Sequence, residues 1–234
     1  MSDLLFLRWH QIIGMEVFLR WQHPEMGLLL PADFLSMAEE SGLILPIGEW
    51  VLRNACAQLR AWRGEGLPAP RVAVNLSGRE LKNFRLVETI ERILDETRLS
   101  PRDLEVEVTE NTISGNLKIA AERFEELKRI GISIAIDDFG TGISSLRNLQ
   151  RLPIDRLKID HTFMNDLTNE ENAAPIIKTI IGIAHNLGLR VIAEGVVTNE
   201  HRDFLHRQGC HEVQGYYFSR PVPAEEFRKL LSTL

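Results

Sequence analysis

The stretch Ile134-Ala-Ile-Asp137-Asp138-Phe-Gly-Thr-Gly142 predicts a buried strand that ends in two adjacent carboxylates. Period-two alternation places Asp137 on the face that carries Ala135, with the isoleucines on the opposite face. The two glycines let the backbone turn tightly after the strand. Adjacent carboxylates repel each other unless a cation or a shared proton compensates, so the stretch indicates a barrel strand with a charged end. Taken alone, it is also compatible with an Asp-Asp turn in a solvated loop.

Composition sets limits on the class of protein. The chain has 234 residues, of which 44% are hydrophobic and 26% charged, so we expect a single domain over residues 1–234 with one large core. The net charge of −6 offers no basic field for a polymeric nucleic acid. The sequence shows neither an apolar run long enough for a membrane span nor a secretory signal, so we expect no membrane contact by this domain. A cytoplasmic location is expected, unless the piece was cut from a membrane-anchored parent.

The pattern of an apolar strand that ends in an acid or an amide recurs along the chain. Further strands are predicted at residues 3–8, 12–21, 71–76, 103–110, 155–160, 189–194 and 211–214. Predicted helices separate most of these strands, and they include one over 117–130 and a short one over 144–150. Strands that alternate with helices about eight times are typical of a (β/α)8 barrel, which is an α/β fold similar to the TIM barrel.

The ends of these strands carry the candidate functional residues. They are Glu16, Asn75, Glu107, Asp137, Asp138, Lys158, Asp160, Glu194 and Gln214. Active sites of such barrels form at the carboxyl ends of the strands, so all of these side chains should converge on one mouth. The strictly alternating segment 103–110 leaves two alternatives open: an edge strand that faces water, or a barrel strand whose acid points into the mouth.

Several carboxylates in one cleft cannot all ionise near pH 7 without compensating positive charge. A ligand set of oxygen atoms favours Mg²⁺ or Mn²⁺ over zinc, and Asp137 could bridge two ions about 3.5–4 Å apart. Lys158 could bind the water or the phosphoryl oxygens, and Arg20 is suited to contact a phosphate. These residues indicate metal-assisted hydrolysis of a phosphate ester. A blander hypothesis is a barrel whose acids serve only salt bridges.

Seven ordered motifs resemble a known family. They are Gly14-Met-Glu-Val-Phe-Leu-Arg-Trp21, Val74-Asn-Leu-Ser77, Glu105-Val-Glu-Val-Thr-Glu110, Asp137-Asp-Phe-Gly-Thr-Gly142, Asp155-Arg-Leu-Lys-Ile-Asp160, Ala193-Glu-Gly-Val196 and Gln214-Gly-Tyr-Tyr-Phe-Ser-Arg-Pro221. In this order they resemble the EAL domain, a family of bacterial phosphodiesterases that open cyclic di-GMP. The resemblance runs from about residue 12 to the end of the chain.

The resemblance implies a barrel with an antiparallel strand near its N-terminus and hydrolysis of cyclic di-GMP to linear 5′-pGpG by two metal ions. Glu16, Asn75, Glu107 and Asp137 resemble the ligands of one ion, and Asp137, Asp138 and Glu194 resemble the shell of the second. Glu194 also resembles a general base with Asp160 nearby, and Lys158 resembles the catalytic lysine. Arg20, Gln214 and Asp138 resemble substrate contacts.

The resemblance also implies partners. The loop 139–145 resembles a segment that couples the metal site to dimerisation, so a homodimer is expected. An EAL-type domain commonly belongs to a larger signalling protein, so an N-terminal sensor or GGDEF-type domain is a further expected partner.

Three departures from the family pattern support an alternative. Val17-Phe18 replaces the usual pair after Glu16, and Val197 stands where the family usually has a second glutamate. The usual first-strand motif is not recognisable before Ile12, so we expect a truncated or non-standard first strand with an open edge. The alternative function is a catalytically weak or inactive receptor for cyclic di-GMP, or a protein-interaction domain.

Overall fold

The structure is a computed structural model that describes residues 2–8, 11–142, 146–167 and 173–232. The strands are β1 (Ser2–Arg8), β2 (Gln11–Phe18), β3 (Trp21–His23), β4 (Gly27–Leu29), β5 (Arg71–Asn75), β6 (Leu104–Thr109), β7 (Ser133–Phe139), β8 (Arg156–Ile159), β9 (Arg190–Ala193), β10 (Glu212–Val213) and β11 (Val222–Pro223). The helices are α1 (Pro31–Ser41), α2 (Ile44–Gly64), α3 (Gly78–Leu81), α4 (Leu86–Thr97), α5 (Glu110–Ser114), α6 (Leu117–Ile130), α7 (Leu146–Leu149), α8 (Thr162–Asp166), α9 (Ala173–Asn186), α10 (Asn199–Arg207) and α11 (Ala224–Ser232).

The main sheet is a closed barrel. Its strand order is β10-β9-β8-β7-β6-β5-β2-β1-β11, and a further pairing of β10 with β1 joins the two sides. The neighbours from β2 through β5 to β10 are parallel, whereas β1 runs antiparallel to β2 and to β10. The predicted α/β barrel with an antiparallel strand near the N-terminus is therefore confirmed.

The expected open edge at the first strand is wrong for the residues that the structure describes. Strand β1 has seven residues and pairs with β2 over most of its length. Its other side meets β10 at Leu7 and Val213, and β11 adds two further pairings near Ser2. Because both sides of β1 have partner strands, its backbone groups do not present a template for another chain.

The alternation of the strands divides the core into two layers. Ile134 and Ile136 of β7 face outward into the large cluster shared with the helices, whereas Ala73 and Ile192 form a small cluster inside the barrel. Strand β6 has partners on both sides, and Glu107 is fully buried. The barrel alternative for this strand is therefore correct, and the water-facing edge alternative is wrong.

The helices cover the outside of the barrel with their apolar faces. In α2, residues such as Val51, Leu59 and Trp62 are buried at helical spacing, and the Trp62 ring stacks on Phe227 of α11. None of the described helices is long and apolar enough to cross a lipid bilayer.

One local prediction needs correction, and a second is observed in part. The strand predicted over 12–21 is divided, because β2 ends at Phe18 and the chain then forms the β3–β4 hairpin, which pairs Trp21 with Leu29. The helix predicted at 144–150 is observed as α7, and Ser144 lies outside the described residues.

Candidate active site

The carboxyl ends of the parallel strands hold the candidate residues at one end of the barrel. Register explains the convergence, because Asn75 of β5 pairs with Glu107 of β6, and Thr109 of β6 pairs with Asp137 of β7. Glu194 and Gln214 follow directly after β9 and β10, and Gln214 N donates a hydrogen bond to the Ala193 carbonyl. The structure thus brings together side chains that are up to 198 positions apart in sequence.

Lys158 occupies the centre of the site. Its Nζ lies 2.6 Å from Glu107 Oε2, 2.8 Å from Glu194 Oε1, 3.1 Å from Glu16 Oε2 and 3.2 Å from Asp137 Oδ1. The Lys158 side chain is fully buried. One ammonium group facing four carboxylates leaves an excess of negative charge inside the barrel, and that excess requires further cations or protons.

Two amides position Glu16. Asn75 Nδ2 donates to Glu16 Oε1 at 2.7 Å, and Gln214 Nε2 donates to Glu16 Oε2 at 2.8 Å. Burial would raise the pKa of Glu16, but Lys158 and the two amides outweigh it and lower the pKa. Glu16 therefore stays ionised inside the barrel.

The other acids of the cluster hold their protons more strongly than usual. Burial raises the pKa of Glu194 to about 8, with repulsion from Asp137 and Glu16 adding to it and Lys158 opposing it. Burial and repulsion from Glu16 also raise the pKa of Glu107 well above its usual value. Such elevated pKa values mark groups that would release protons to a metal ion or exchange protons during a reaction.

Asp138 and Asp160 form a second acidic pair beside the cluster. Asp138 has a left-handed backbone with φ of +53°, a conformation that is rare outside glycine and often found at functional sites. Burial and repulsion from Asp137 raise the pKa of Asp138 to about 6. Although burial of Asp160 acts in the other direction, hydrogen bonds from the Thr162 N–H and hydroxyl lower the pKa of Asp160.

Two groups of carboxylates have the geometry to hold a metal ion. Oxygen atoms of Glu16, Glu107 and Asp137 lie within 4.8 Å of one another, and so do oxygen atoms of Asp137, Asp138 and Glu194. Asp137 belongs to both groups. Glu107 Oε1 is buried without a hydrogen-bond partner among the described residues, as expected of a ligand atom that is meant for a cation.

A cleft of about 450 Å³ opens above the acids. Its wall includes predicted residues and six that sequence reasoning did not assign to the site, namely Phe18, His161, Asn165, Gly195, Gly215 and Tyr216. Val197 also lines this cleft and is 46% exposed. Most of the unassigned residues lie on loops after the strands, and strand periodicity carries no signal for them.

Arg20 lies apart from the acidic cluster. It lines a neighbouring apolar pocket of about 520 Å³, together with Trp21, Phe34 and Trp50. Its guanidinium lies 5.8 Å from the centre of the Phe18 ring, and its Nη1 donates to the Leu19 carbonyl at 2.8 Å. Phe18 lines the acidic cleft, so the Arg20 guanidinium lies next to one residue of the cleft wall but does not line the cleft itself.

Glu110 is a further residue that sequence reasoning missed. It is buried at the start of α5, and its Oε2 accepts hydrogen bonds from Gly140 N at 2.9 Å and Gly142 N at 3.2 Å. A Cβ on Gly142 would lie 2.7 Å from Glu110 Cδ, so glycine is required for this approach. Glu110 thus fixes the described part of the glycine-rich loop that follows Asp137 and Asp138.

A barrel with acids at the carboxyl ends of its strands defines the class as an α/β barrel with a candidate metal-dependent site. The model of the EAL domain family matches residues 6–221. The chain belongs to the EAL domain family.

Individual relatives agree with this assignment. The bifunctional diguanylate cyclase/cyclic di-GMP phosphodiesterase MucR of Pseudomonas aeruginosa is 43% identical over 215 residues, which are 92% of this chain and 31% of MucR. The cyclic di-GMP phosphodiesterase PdeR of Escherichia coli is 38% identical over 219 residues, which are 94% of this chain and 33% of PdeR. The chain therefore spans about a third of the length of these curated relatives.

Solved structures show the same fold. The structure of the PaMucR phosphodiesterase in complex with c-di-GMP superposes with a TM-score of 0.92 at 41% identity, and the match covers 97% of this chain and 92% of that chain. The FimX EAL domain of Pseudomonas aeruginosa bound to c-di-GMP gives a TM-score of 0.86 at 26% identity and covers 94% of this chain and 89% of that chain.

Proposed function

We propose that this domain hydrolyses cyclic di-GMP to linear 5′-pGpG. The observation that carries the proposal is the position of Asp137, which belongs to two groups of metal-competent carboxylates, with Lys158 in contact with both groups. Relatives of this chain are named as cyclic di-GMP phosphodiesterases, and a similar structure contains c-di-GMP.

Mg²⁺ or Mn²⁺ fits the donors of this site, because they are carboxylate and amide oxygens and include the unpartnered Glu107 Oε1. Glu16, Asn75, Glu107 and Asp137 would hold one ion, and Asp137, Asp138 and Glu194 the other. When bound, such ions lower the pKa of a coordinated water and neutralise charge on the phosphate.

The side chains of this chain then have distinct roles. Glu194 is proposed to accept the proton of the attacking water, and Lys158 would stabilise the negative charge that develops on the phosphoryl oxygens. Asp160 lies beside Asp138 and would support its orientation. Gln214 fixes Glu16, and Asp138 also faces the cleft that would receive the substrate.

The two adjoining pockets suit a cyclic dinucleotide. The acidic cleft can take the phosphodiester, and the apolar pocket beside it offers the flat surfaces of Trp21 and Trp50 to a purine base. Arg20 lines the apolar pocket and lies close to Phe18 of the cleft wall, and its guanidinium could contact a phosphate of the substrate there. This division supports a small substrate with both charged and aromatic parts.

The wider context is also a proposal. We infer an N-terminal sensor or GGDEF-type domain as a partner, and the support is that this chain spans only about a third of relatives such as the bifunctional MucR. We also infer a homodimer, and its support is the resemblance of the loop 139–145 to a segment that couples the metal site to dimerisation.

A hydrolysis assay tests the proposed function. Purified protein with Mn²⁺ should convert cyclic di-GMP to the linear dinucleotide, and EDTA should stop the reaction. Glu194→Gln should abolish turnover while the binding of cyclic di-GMP remains. Glu225→Gln removes an exposed acid on α11 and should behave as the wild type.

The second candidate is a receptor that binds cyclic di-GMP without turnover. The apolar Val197 at the cleft favours it, because a carboxylate there would complete the acidic rim. Tight nucleotide binding in EDTA, with no linear product in Mn²⁺, would establish the receptor and reject the hydrolase.

A further inference from the structure

The described wall of the acidic cleft contains a single basic side chain. Four of the lining residues are acids, and His161 alone among the described lining residues can carry a positive charge. Lys158 is fully buried, and its ammonium group already faces four carboxylates. Arg20 lines the neighbouring apolar pocket instead. An anionic ligand in the cleft would therefore meet His161 as the one side chain of the described wall that can match its charge.

The backbone of His161 is held in place, whereas its ring is accessible. The His161 carbonyl accepts hydrogen bonds from Met164 N at 3.1 Å and from Asn165 N at 3.2 Å. Gly195 packs against the same residue so closely that a Cβ on Gly195 would lie 2.7 Å from His161 Cβ. The side chain of His161 is nevertheless 60% exposed. A ligand that binds the ring would meet a side chain whose base is already ordered, which lowers the entropic cost of binding.

Asp160 orients the imidazole ring. His161 Nδ1 lies 3.3 Å from Asp160 Oδ2, and Asp160 Oδ1 accepts a hydrogen bond from Thr162 N at 2.8 Å. Because the carboxylate faces the Nδ1 edge of the ring, the Nε2 edge is the one that remains for a ligand. In the imidazolium form, Nδ1–H is directed at Asp160 and Nε2–H can donate to a phosphate oxygen.

The substrate of the proposed function contains two phosphodiesters in one ring. The metal-competent acids can serve only the phosphodiester that is cut, because a water bound by the same ions must attack its phosphorus atom in line. The second phosphodiester is also an anion, and it has to lie over another part of a cleft that is lined by carboxylates. Like charges repel, so this second phosphodiester needs a positively charged or donating partner of its own.

We propose that His161 binds the phosphodiester that is not hydrolysed, and that this contact selects cyclic dinucleotides over ligands with one phosphodiester. His161 suits this role because it lies beside Asp160, at the margin of the acidic cluster and outside the group of carboxylates that contact Lys158. It therefore contributes to binding separately from the metal-competent acids. The inference rests on the proposed function, since it takes cyclic di-GMP as the ligand.

Calorimetry with two matched ligands tests the inference. Cyclic di-GMP has two phosphodiesters, whereas the linear dinucleotide GpG has the same two bases and one phosphodiester. Binding of each ligand is measured with Mn²⁺ in a Glu194→Gln background, in which turnover should not consume the ligand. His161→Leu removes the donor at similar bulk, His161→Arg keeps a cationic donor, and His185→Leu changes an exposed histidine on α9. Thermal unfolding checks that each variant is folded.

We expect His161→Leu to raise the Kd of cyclic di-GMP at least about tenfold and to change the Kd of GpG less than about twofold, because one hydrogen bond to a charged group is lost. His161→Arg should bind cyclic di-GMP nearly as tightly as the parent, and His185→Leu should match the parent with both ligands. In the protein with Glu194 intact, His161→Leu should raise KM and leave kcat nearly unchanged.

An unchanged Kd of cyclic di-GMP in a folded His161→Leu protein would overturn the inference. An equal loss of affinity for cyclic di-GMP and GpG would also overturn it, and so would a His161→Arg protein as impaired as His161→Leu. If His161→Leu does not fold, His161→Ala takes its place in the same comparison.

The outcomes also separate this inference from the proposed hydrolysis. A wild-type protein that binds cyclic di-GMP without turnover would reject the hydrolase, and the Kd values of the two ligands would still decide the role of His161. Turnover by the wild type, together with unchanged Kd values in His161→Leu, would reject the role of His161 and retain the hydrolase. A parent protein that binds neither ligand would overturn both.

Discussion

At the scale of the single residue, Glu194 links charge to stability. Its pKa of about 8 in the folded protein, against 4.5 for an ordinary glutamate, means that the folded state holds a proton that the unfolded state has released between these pH values. The free energy of unfolding of the metal-free protein therefore falls as the pH rises through this window. Burial is the main cause, since it disfavours the charged carboxylate.

We predict that Glu194→Gln removes this loss of stability. In EDTA, its Tm should rise relative to wild type between about pH 5 and about pH 8, by about 2–4 °C for each kcal/mol recovered. Thermal unfolding across this pH range measures the effect. Glu122→Gln on the exposed face of α6 is the control, and its Tm should follow that of the wild type. A difference in Tm between Glu194→Gln and wild type that does not vary with pH would contradict the prediction.

Val197 is the residue where this chain departs most clearly from a full acidic rim. We predict that Val197→Glu raises Mn²⁺ affinity and turnover, by about tenfold, because a carboxylate would join the cleft beside Glu194. Val197→Gln has nearly the same size without the charge and should not show the gain. Calorimetry with Mn²⁺ and the hydrolysis assay test both variants. Wild-type Mn²⁺ affinity and turnover in Val197→Glu would show that this position is not part of the metal site.

At the scale of the structural element, the three loops after β8, β9 and β10 act as one unit. His161, Gly195 and Gly215 bring their backbones into direct contact, since a Cβ on Gly215 would lie 2.2 Å from the Val196 carbonyl oxygen. Glycine is needed at positions 195 and 215 for close approach, in addition to its tolerance of positive φ. Asp160, Glu194 and Gln214 are therefore fixed relative to one another by backbone packing.

We predict that Gly195→Ala costs activity as well as stability. Gly188 has nearly the same φ, +71° against +70°, but a Cβ on Gly188 would meet no atom within 4 Å, so Gly188→Ala isolates the backbone cost. Gly188→Ala should lose about 1 kcal/mol of stability with normal turnover. Gly195→Ala should lose more, and its kcat should fall about 100-fold. Urea unfolding and the hydrolysis assay measure both, and equal turnover in the two variants would contradict the account.

The elements themselves were predictable to different degrees. Helix α6 and strand β6 follow from a clear period in the apolar residues, and both were predicted within one or two residues. The β3–β4 hairpin was not predicted, because Trp21 and Leu28 continue the apolar pattern of β2 and are exposed in the structure. A pattern of apolar residues cannot show which of them a neighbouring helix leaves uncovered.

At the scale of the whole molecule, a second network of buried charged side chains lies inside the barrel at the end opposite the active site. Glu212 Oε2 lies 2.9 Å from Arg71 Nη2 and 3.4 Å from Arg156 Nε, and Arg156 Nη1 donates to Glu105 Oε2 at 2.6 Å. Although Glu212 is buried, the arginines lower its pKa, with Arg71 contributing most. At this end the chain supplies its own cations, whereas at the mouth four acids share Lys158.

We predict that Arg156→Met destabilises the fold by about 3–5 kcal/mol, because it leaves Glu105 and Glu212 buried with fewer partners. Arg228→Met, which breaks a surface pair with Glu65, should have no measurable effect. Chemical denaturation compares the two variants. The folded fraction of Arg156→Met should retain metal binding, and a loss of Mn²⁺ affinity without loss of stability would contradict the separation of the two networks.

The sequence by itself determined the barrel class and most of the site. Period-two alternation fixes which face Asp137 and Glu107 share, and the carboxyl ends of parallel strands must meet at one edge, so convergence followed from the order of strands and helices. The same alternation places Lys158 and Asp160 on one face of their strand.

Only the tertiary structure decided what lies next to these residues. The register between strands set the contacts of Lys158, the packing of α1 and α2 placed Arg20 in the wall of the apolar pocket, and the turn after β6 brought Glu110 to the glycine-rich loop that it holds. These contacts join residues that are distant in sequence and lie on loops or at helix ends, where side-chain direction follows from packing and not from any local period.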